Sequence, residues 1–493
     1  MSPIVVFIVL VLYFGLLVSI AFYTSRGATS HSFFNANKQS PWYLVAFGMI
    51  GASLSGVTFV SVPGAVQVRY FGYFQMVLGY VLGYLVIAYI LLPLYYRLNL
   101  ISIYTYLETR FGKYTYKTGA SFFLLSRTIG TAFRLFLAVE ALQMGLFGAW
   151  GFPFWLTTAV SVALIWVYTF RGGIKTIVWT DTFQTFFLLL ALLSTIFFIK
   201  NDLAISFSDL LGKVNDSPMS QIFFWDNFLG NKNHFLKQFV AGMFITIAMT
   251  GLDQDLMQKN LTCKNLKEAQ KNMLSFTAIL VLVNLIFLVM GASLYLYAES
   301  QAIVLPSKNG SIITDQVYPN LAFQHFGILA GIAFLLGITA ATYASSDSAL
   351  ASLTTSFCVD FLHLTKKEVQ ESKAKKTVKS VHLFFSLILL IIVVAFERIR
   401  AEYPSVNIIG ALFQAAGYTY GALLGLFAFG IFTKRNLRGK LVPLVTILSP
   451  LLAFYFSKNT PNWFGYTFGD ELIVLNGLLN FLGLYLISTK KNK

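Results

Sequence analysis

The sequence predicts an all-α polytopic membrane protein whose helices form one bundle. Of its 493 residues, 57% are hydrophobic and only 11% are charged, whereas a soluble protein carries about 25% charged residues. About thirteen apolar stretches approach the roughly 20 residues that a membrane-spanning helix needs. Two of these stretches are interrupted by glycine next to polar residues, and broken helices at membrane depth are tolerated where they line a cavity.

The apolar stretches define the predicted spans. In chain order they lie near residues 4–24, 41–65, 73–96, 118–147, 153–170, 176–199, 236–258, 272–298, 327–363, 378–397, 406–433, 440–457 and 471–489. The first has no small-residue cleavage site, so we expect it to be a retained helix and not a signal peptide. The external loops between spans six and seven and between spans eight and nine are long enough for short helices or a lid.

The net charge of +16 is distributed as an orientation signal. Lys and Arg cluster in alternate loops, near residues 26–38, 97–117, 171–175, 259–271, 366–379 and 434–440, and in the C-terminal tail. The positive-inside rule then predicts a cell (inner) membrane protein with its N-terminus outside and its C-terminus in the cytoplasm. The expected surroundings are a lipid bilayer, and we expect no nucleic-acid partner.

Two interrupted spans, five spans apart, predict an inverted repeat with a binding site between its halves. The second span has Gly51 and Gly56 at its interruption, and the seventh has Gly251. The predicted organisation is a leading helix and loop (1–40), a first repeat (41–200), an external loop (201–235), a second repeat (236–435) and two C-terminal helices (436–493).

Polar side chains inside the spans point to a buried site. Within 340–360, four serines recur every three or four residues and share one helical face, with Asp347 rotated about 100° from them. Such groups are costly in lipid and face protein, water or an ion. The same cost applies to the charged side chains inside the spans, which are Arg127 and Arg134 on the fourth span and Asp181 on the sixth. The alternatives are a helix-packing seam for the serines and structural ion pairs for the charges.

In this order the segments resemble the sodium:solute symporter family, which includes sodium–glucose, sodium–proline and sodium–sialic acid transporters. The segments that carry the resemblance are SLSGVTFVSVPG (53–64), YLETRFG (106–112), YTFRGGIKTIVWTDTFQ (168–184), DQDLMQKNL (253–261), ASSDSALASLTTSFCVD (344–360) and YGALLGLFAFGIFTKR (420–435). The resemblance implies a leucine-transporter-like core of ten helices in two inverted five-helix repeats. It also implies Na⁺-driven symport of a small solute by alternating access.

The resemblance places the main sodium site between the first and eighth core helices. It implies main-chain carbonyls of Gly51 and Leu54 from the first, with the Ala341 carbonyl and the Ser345 hydroxyl from the eighth. Where many members have two adjacent hydroxyls this chain has Ala344 followed by Ser345, so one side-chain ligand is missing.

Some family members hold a second sodium ion with the residue that matches Asp181 and hydroxyls near Ser345, Asp347 and Ser348. Asp347 is a departure from the family's small or hydroxyl residue at its position. It therefore either coordinates the ion together with Asp181, pairs with Arg127 or Arg134, or carries a proton.

The sequence specifies the solute less closely than the ion. The residues expected to face it are Ser53, Ser55, Thr58, Gln75, Arg127 and Asp253. The solute is a sugar, an amino acid or an organic acid. The fourth-span arginine that binds the carboxylate in sialic-acid-type relatives aligns with Gly130, one turn after Arg127.

Other function classes remain as alternatives: a proton-coupled or sodium-independent transporter, or a solute sensor or channel on the same scaffold. A membrane enzyme is not expected, because the 5 histidines are scattered and form no reactive cluster. We expect the transporter to work as a monomer.

Overall fold

The structure is a computed structural model that describes residues 3–25, 36–169, 173–308, 310–364, 371–403 and 408–490. Its helices are α1 (Pro3–Thr24), α2 (Trp42–Ser53), α3 (Gly56–Gly64), α4 (Val66–Arg97), α5 (Thr105–Phe111), α6 (Lys113–Phe147), α7 (Phe154–Thr169), α8 (Gly173–Asp202), α9 (Phe207–Asp216), α10 (Phe235–Gly251), α11 (Gln254–Asn260), α12 (Leu266–Ser300), α13 (Thr314–Asn320), α14 (Ile328–Phe361), α15 (Glu371–Glu402), α16 (Ile408–Phe432), α17 (Gly439–Phe464) and α18 (Leu472–Leu486). Two short antiparallel pairs join β1 (Ser307–Lys308) to β2 (Ser311–Ile312) and β3 (Asn436–Leu437) to β4 (Ser488–Thr489).

The predicted spans are found as helices. Among the described residues, nine helices are long and apolar enough to cross a membrane, and two bent pairs raise the number to eleven. The shorter apolar helices α7 and α18 coincide with the fifth and thirteenth predicted spans. Part of the basic charge behind the predicted orientation (26–35, 365–370 and 491–493) and the first glycine of the 168–184 motif lie outside the described residues.

Both interruptions predicted from glycine are real breaks. Helices α2 and α3 meet at an angle of 53° around Leu54, and α10 and α11 meet at 69° around Leu252. At each break the chain leaves the helical path for two residues and starts a new helix. Each break therefore leaves a helix N-terminus with unpaired N–H groups at membrane depth.

Close backbone packing positions the first break. A Cβ on Gly56 would lie 2.0 Å from Oγ1 of Thr342 on α14, so only glycine fits there without displacing a neighbour. The Gly51 N–H donates to Oγ1 of Thr185 on α8 at 3.0 Å. The first break is thus held between α8 and α14.

The two long loops, between α8 and α10 and between α12 and α14, contain short helices, as expected. Helix α9 begins with a reciprocal capping box between Ser206 and Asp209, and these hydrogen bonds lower the pKa of the Asp209 carboxyl. In the second loop, Asp315 of α13 accepts hydrogen bonds from Arg400 at 3.2 Å and from the Ile408 N–H at 3.1 Å. The second loop is thereby tied to α15 and α16.

Candidate solute and cation sites

A cavity of about 80 Å³ lies beside the first break. Four of the predicted solute-facing residues, Ser53, Ser55, Thr58 and Arg127, line it. The other lining residues that carry polar groups are Tyr73, Tyr80, Tyr84, Arg134, Thr246, Thr250 and Asn284. Ser55 occupies the N-cap position of α3, but its hydroxyl makes no cap hydrogen bond. The N-terminal end of α3 therefore faces a space lined with hydroxyls, an amide and guanidinium groups.

Arg127 is paired within the protein. Its guanidinium bonds to the Asp255 carboxylate and lies 3.8 Å from that of Asp253, and all three side chains are buried. The Ser348 hydroxyl donates to Asp255, and the Tyr420 hydroxyl donates to Asp253. This network connects α6, α11, α14 and α16, so the positive charge of Arg127 is already satisfied by carboxylates.

Arg134 is in a different situation, seven residues further along α6. It lines the same cavity and is 8% exposed. In the described part of the chain, no ion pair within 4 Å and no side-chain hydrogen bond involves its guanidinium, although the Asp253 charge acts on it at longer range. The hydrogen-bond donors of Arg134 are therefore free for a ligand.

Two predicted solute-facing residues lie elsewhere. Gln75 bonds to the backbone of the loop between α8 and α10, through Asn233 at 2.9 Å and Phe224 at 3.1 Å. Asp253 caps α11 by accepting from the Asp255 N–H at 2.8 Å, and it lies behind the cavity wall with Tyr420. Their contacts in this structure are structural ones.

The predicted main sodium ligands lie on two elements that touch between Gly56 and Thr342. Gly51 and Leu54 lie at the C-terminal end of α2, and Ala341 and Ser345 lie within a turn of Thr342 on α14. The Ser345 hydroxyl donates to the Thr342 carbonyl at 2.9 Å, which leaves its lone pairs available as acceptors. Uncharged oxygens of this kind suit a monovalent ion that must bind and then leave.

Two of the remaining predicted ion ligands, Asp181 and Asp347, lie in a second cluster, whereas the Ser348 hydroxyl donates to Asp255 in the Arg127 network. Oδ2 of Asp181 is 2.5 Å from the Lys259 ammonium, and Oδ2 of Asp347 accepts from the Tyr168 hydroxyl at 2.9 Å. The ion pair that was considered between Asp347 and an arginine is not formed, because Arg127 pairs with Asp255. Within the described residues, Oδ1 of each carboxylate has no hydrogen-bond partner.

Sequence reasoning missed Lys259 and Asp255 as members of these clusters. Lys259 was counted with the basic loop charges that set orientation, yet it is 1% exposed. Its position in DQDLMQKN, one helical turn after Asp255 on the short helix that follows a broken span, was the available signal. The partner of each charge could not be read from spacing, because it depends on how α8 and α14 pack against α11.

Comparison with known proteins agrees with this geometry. A model described as the sodium:solute symporter family matches residues 33–446. The sodium/sialic acid symporter SiaT of Proteus mirabilis is 24% identical over 476 residues, covering 93% of this chain and 90% of that protein. The human sodium-coupled monocarboxylate transporter 2 is 26% identical over 446 residues, covering 88% of this chain and 68% of that one.

The predicted fold is confirmed by a solved structure. A Na⁺-coupled sialic acid symporter in its substrate-bound outward-open state aligns with a TM-score of 0.82 and 19% identity over 99% of both chains. The matching family is a family of transporters, and the aligned structure is that of a transporter. The chain belongs to the sodium:solute symporter family, and it is a multi-pass membrane protein that couples sodium to the transport of a small solute.

Proposed function

We propose that the chain imports a small organic anion together with sodium, and that Arg134 binds the carboxylate of the solute. The observation that carries this proposal is the difference between the two arginines of α6. The charge of Arg127 is paired with Asp255 and Asp253, whereas the Arg134 guanidinium lies in the cavity wall without a carboxylate within 4 Å in the described part of the chain. A buried guanidinium without an acceptor is costly, and a carboxylate matches its paired donors.

Other features of the cavity support an anion. The N-terminus of α3, where the macrodipole favours negative charge, lies at Ser55 without a side-chain cap. Ser53, Thr58 and Asn284 supply groups that bond hydroxyl or carbonyl oxygens of the solute. Two of the relatives are a sialic acid symporter and a monocarboxylate transporter, and sialic acid and monocarboxylates are both acids.

Sodium coupling follows from the site at the first break. We place one ion among the carbonyls of Gly51, Leu54 and Ala341 and the Ser345 hydroxyl, and a second ion-binding region at Asp181, Asp347 and Ser348. An ion at the break would fix α3 against α14 and shape the cavity for the solute. Since such coupling is reciprocal, bound solute would tighten sodium by the same factor.

The organisation predicted from sequence completes the proposal. The two bent pairs open the two repeats, 41–200 and 236–435, which would alternate access around the cavity. We infer a monomer in the inner membrane, with the N-terminus outside and the C-terminus in the cytoplasm. No enzymatic step is part of the transport cycle we propose.

The test is a solute screen by thermal shift on the purified protein, in sodium and in potassium buffer. Small carboxylates should stabilise the protein in sodium, and their neutral amides should not. Arg134→Gln should abolish this stabilisation, and Arg134→Lys should restore part of it, because the ammonium keeps the charge but loses the paired donors. Stabilisation by neutral solutes alone, retained in Arg134→Gln, would refute the anion assignment.

Uptake into proteoliposomes tests the coupling. An inward sodium gradient should drive concentrative uptake, since each charge contributes about 2.3 kcal/mol per 100 mV in addition to its concentration gradient. Uptake that is equal with and without the gradient would indicate a sodium-independent transporter. Uptake that does not saturate would indicate a channel.

A further inference from the structure

Lys259 and Asp181 form a deeply buried ion pair in the second cluster. Lys259 is 1% exposed and Asp181 is 0% exposed, and the nitrogen–oxygen distance is 2.5 Å. The lysine lies near the end of α11, and the aspartate lies on α8 about two turns from its start. The pair therefore bonds the second broken helix to the helix that also holds the first break through Thr185.

A second carboxylate lies beside this pair. The charges of Asp181 and Lys259 both act on Asp347, which is 0% exposed on α14. Two carboxylates and one ammonium leave one negative charge in the cluster. The other polar groups near it are the hydroxyls of Tyr13, Tyr168 and Tyr343, which carry no charge at neutral pH.

The cluster contains buried oxygen atoms that are available to bind a cation. Oδ1 of Asp347 and Oδ1 of Asp181 have no hydrogen-bond partner within the described residues, and the Gln184 amide lies beside the Tyr13 and Tyr168 hydroxyls. Each of these side chains is at most 4% exposed. Unpaired buried acceptors around a net negative charge are costly in a protein, and hard oxygen ligands of this kind suit a small cation.

We propose that Lys259 is a tethered cation that keeps Asp181 neutralised, so that this cluster takes one monovalent cation, at Asp347, where two carboxylates alone would take two. The assignment rests on the proposed sodium coupling and specifies its stoichiometry. Sodium could bind Oδ2 of Asp181 only by displacing the Lys259 ammonium, which lies 2.5 Å away. Because this ammonium is covalently attached to the protein, its concentration at Asp181 is fixed. The charge on the Asp181 side is thus independent of the sodium concentration.

The experiment counts sodium ions. Binding of radioactive sodium to the purified, solute-free protein gives the number of sites, and the reversal potential of solute flux in proteoliposomes gives the coupling ratio. Lys259→Met should bind one sodium ion more than the wild type, because Asp181 then needs a free counter-ion. Lys259→Arg and the double variant Asp181→Asn/Lys259→Met should both bind the wild-type number, and Asp347→Asn should bind one fewer.

Lys237→Met is the matched control. Lys237 is a second buried lysine, 2% exposed, but its ammonium donates to the carbonyls of Leu229 at 3.0 Å and Thr467 at 2.8 Å. Removing this charge leaves no unpaired carboxylate in the ion-binding region. The number of bound sodium ions should therefore stay at the wild-type value.

Three results would overturn the proposal. An unchanged sodium number in Lys259→Met shows that the lysine does not replace an ion. The wild-type sodium number in Asp347→Asn shows that the cation of this cluster is not held at Asp347. If Lys259→Met does not fold, the double variant decides instead, since a sodium number below that of the wild type contradicts the tethered cation. Failure of the sodium coupling itself is separate, because it appears as gradient-independent uptake in the wild type.

Discussion

The two helix breaks occupy corresponding places in the two halves of the chain, but they are completed differently. At the second break, the N-terminus of α11 is capped by the protein's own Asp253. Asp253 and Asp255 are in turn bonded to Arg127, Tyr420 and Ser348. At the first break, Ser55 makes no cap hydrogen bond, and the chain from 51 to 64 carries no charged side chain.

This difference indicates a division of roles. The second break is a closed junction, in which side chains from three other helices satisfy the exposed groups. The first break has backbone and hydroxyl groups that face a cavity, so a solute and an ion can complete it. A transport site needs polar groups that become paired only when the ligand binds. The interactions with the ligand can then shift the equilibrium between conformations.

The largest expected effect is at the closed junction. Asp255→Asn removes the charge that bonds Arg127 and leaves the guanidinium with Asp253, 3.8 Å away. Breaking a buried pair in this way should lower the free energy of unfolding by about 3 kcal/mol. The thermal unfolding midpoint in detergent is the measurement.

The control for that variant replaces both partners. Arg127→Met/Asp255→Leu removes both charges of this pair and should recover part of the lost stability, because an apolar pair can substitute for a buried ion pair; the Asp253 carboxylate keeps its hydrogen bond from Tyr420. A single variant as stable as the wild type would show that the second break is not a closed junction.

The next effect concerns the tight packing of the first break. Gly56→Ala places a Cβ 2.0 Å from Oγ1 and 3.3 Å from Cβ of Thr342. Such overpacking should cost about 1–3 kcal/mol, and Thr342→Ala in the same chain should relieve much of it. Thermal unfolding of the single and double variants measures both.

Gly251→Ala at the second break is the comparison. Its Cβ would meet the ends of the Leu91 and Ile87 side chains at 2.5 and 2.9 Å, and flexible side-chain ends can move aside. The cost should be smaller than for Gly56→Ala. Equal costs at the two glycines would mean that the first break has no special need for close packing.

The same contrast explains how much could be predicted from sequence. Glycine within an apolar stretch was enough to locate both breaks, and apolar length was enough to locate the spans. Ser53, Ser55 and Thr58 were placed beside the cavity because they lie at the break or within one turn of it. The roles of Arg127 and Asp253 were not predictable in this way, because a charge in a span looks the same whether it faces a ligand or another side chain. Only the packing of α11 against α6 and α14 shows that Arg127 is paired and that Arg134 is free.

A functional effect is expected at the first break with little change in stability. Ser345→Ala removes the one side-chain ligand proposed for the main sodium ion, and sodium affinity should fall roughly tenfold, or about 1.4 kcal/mol. Ser352→Ala is the matched control, because that hydroxyl also donates within its own helix, to Ala349 at 2.8 Å, but lies two turns away. Sodium titration of thermal stability measures both, and equal affinities in the two variants would remove Ser345 from the site.

The smallest expected effect on stability is that of a substitution at Asp253. Whether the substitution strengthens or weakens solute binding distinguishes two roles for this residue. Asp253→Asn keeps a good helix cap and an acceptor for the Asp255 N–H, so stability should change by less than about 1 kcal/mol. It also removes a negative charge that acts on Arg134. Binding of an anionic solute should therefore become tighter, by about threefold, since the attraction to Arg134 is less offset. Weaker binding in equilibrium titrations would instead show that Asp253 contacts the solute, and that the second break is open to ligand like the first.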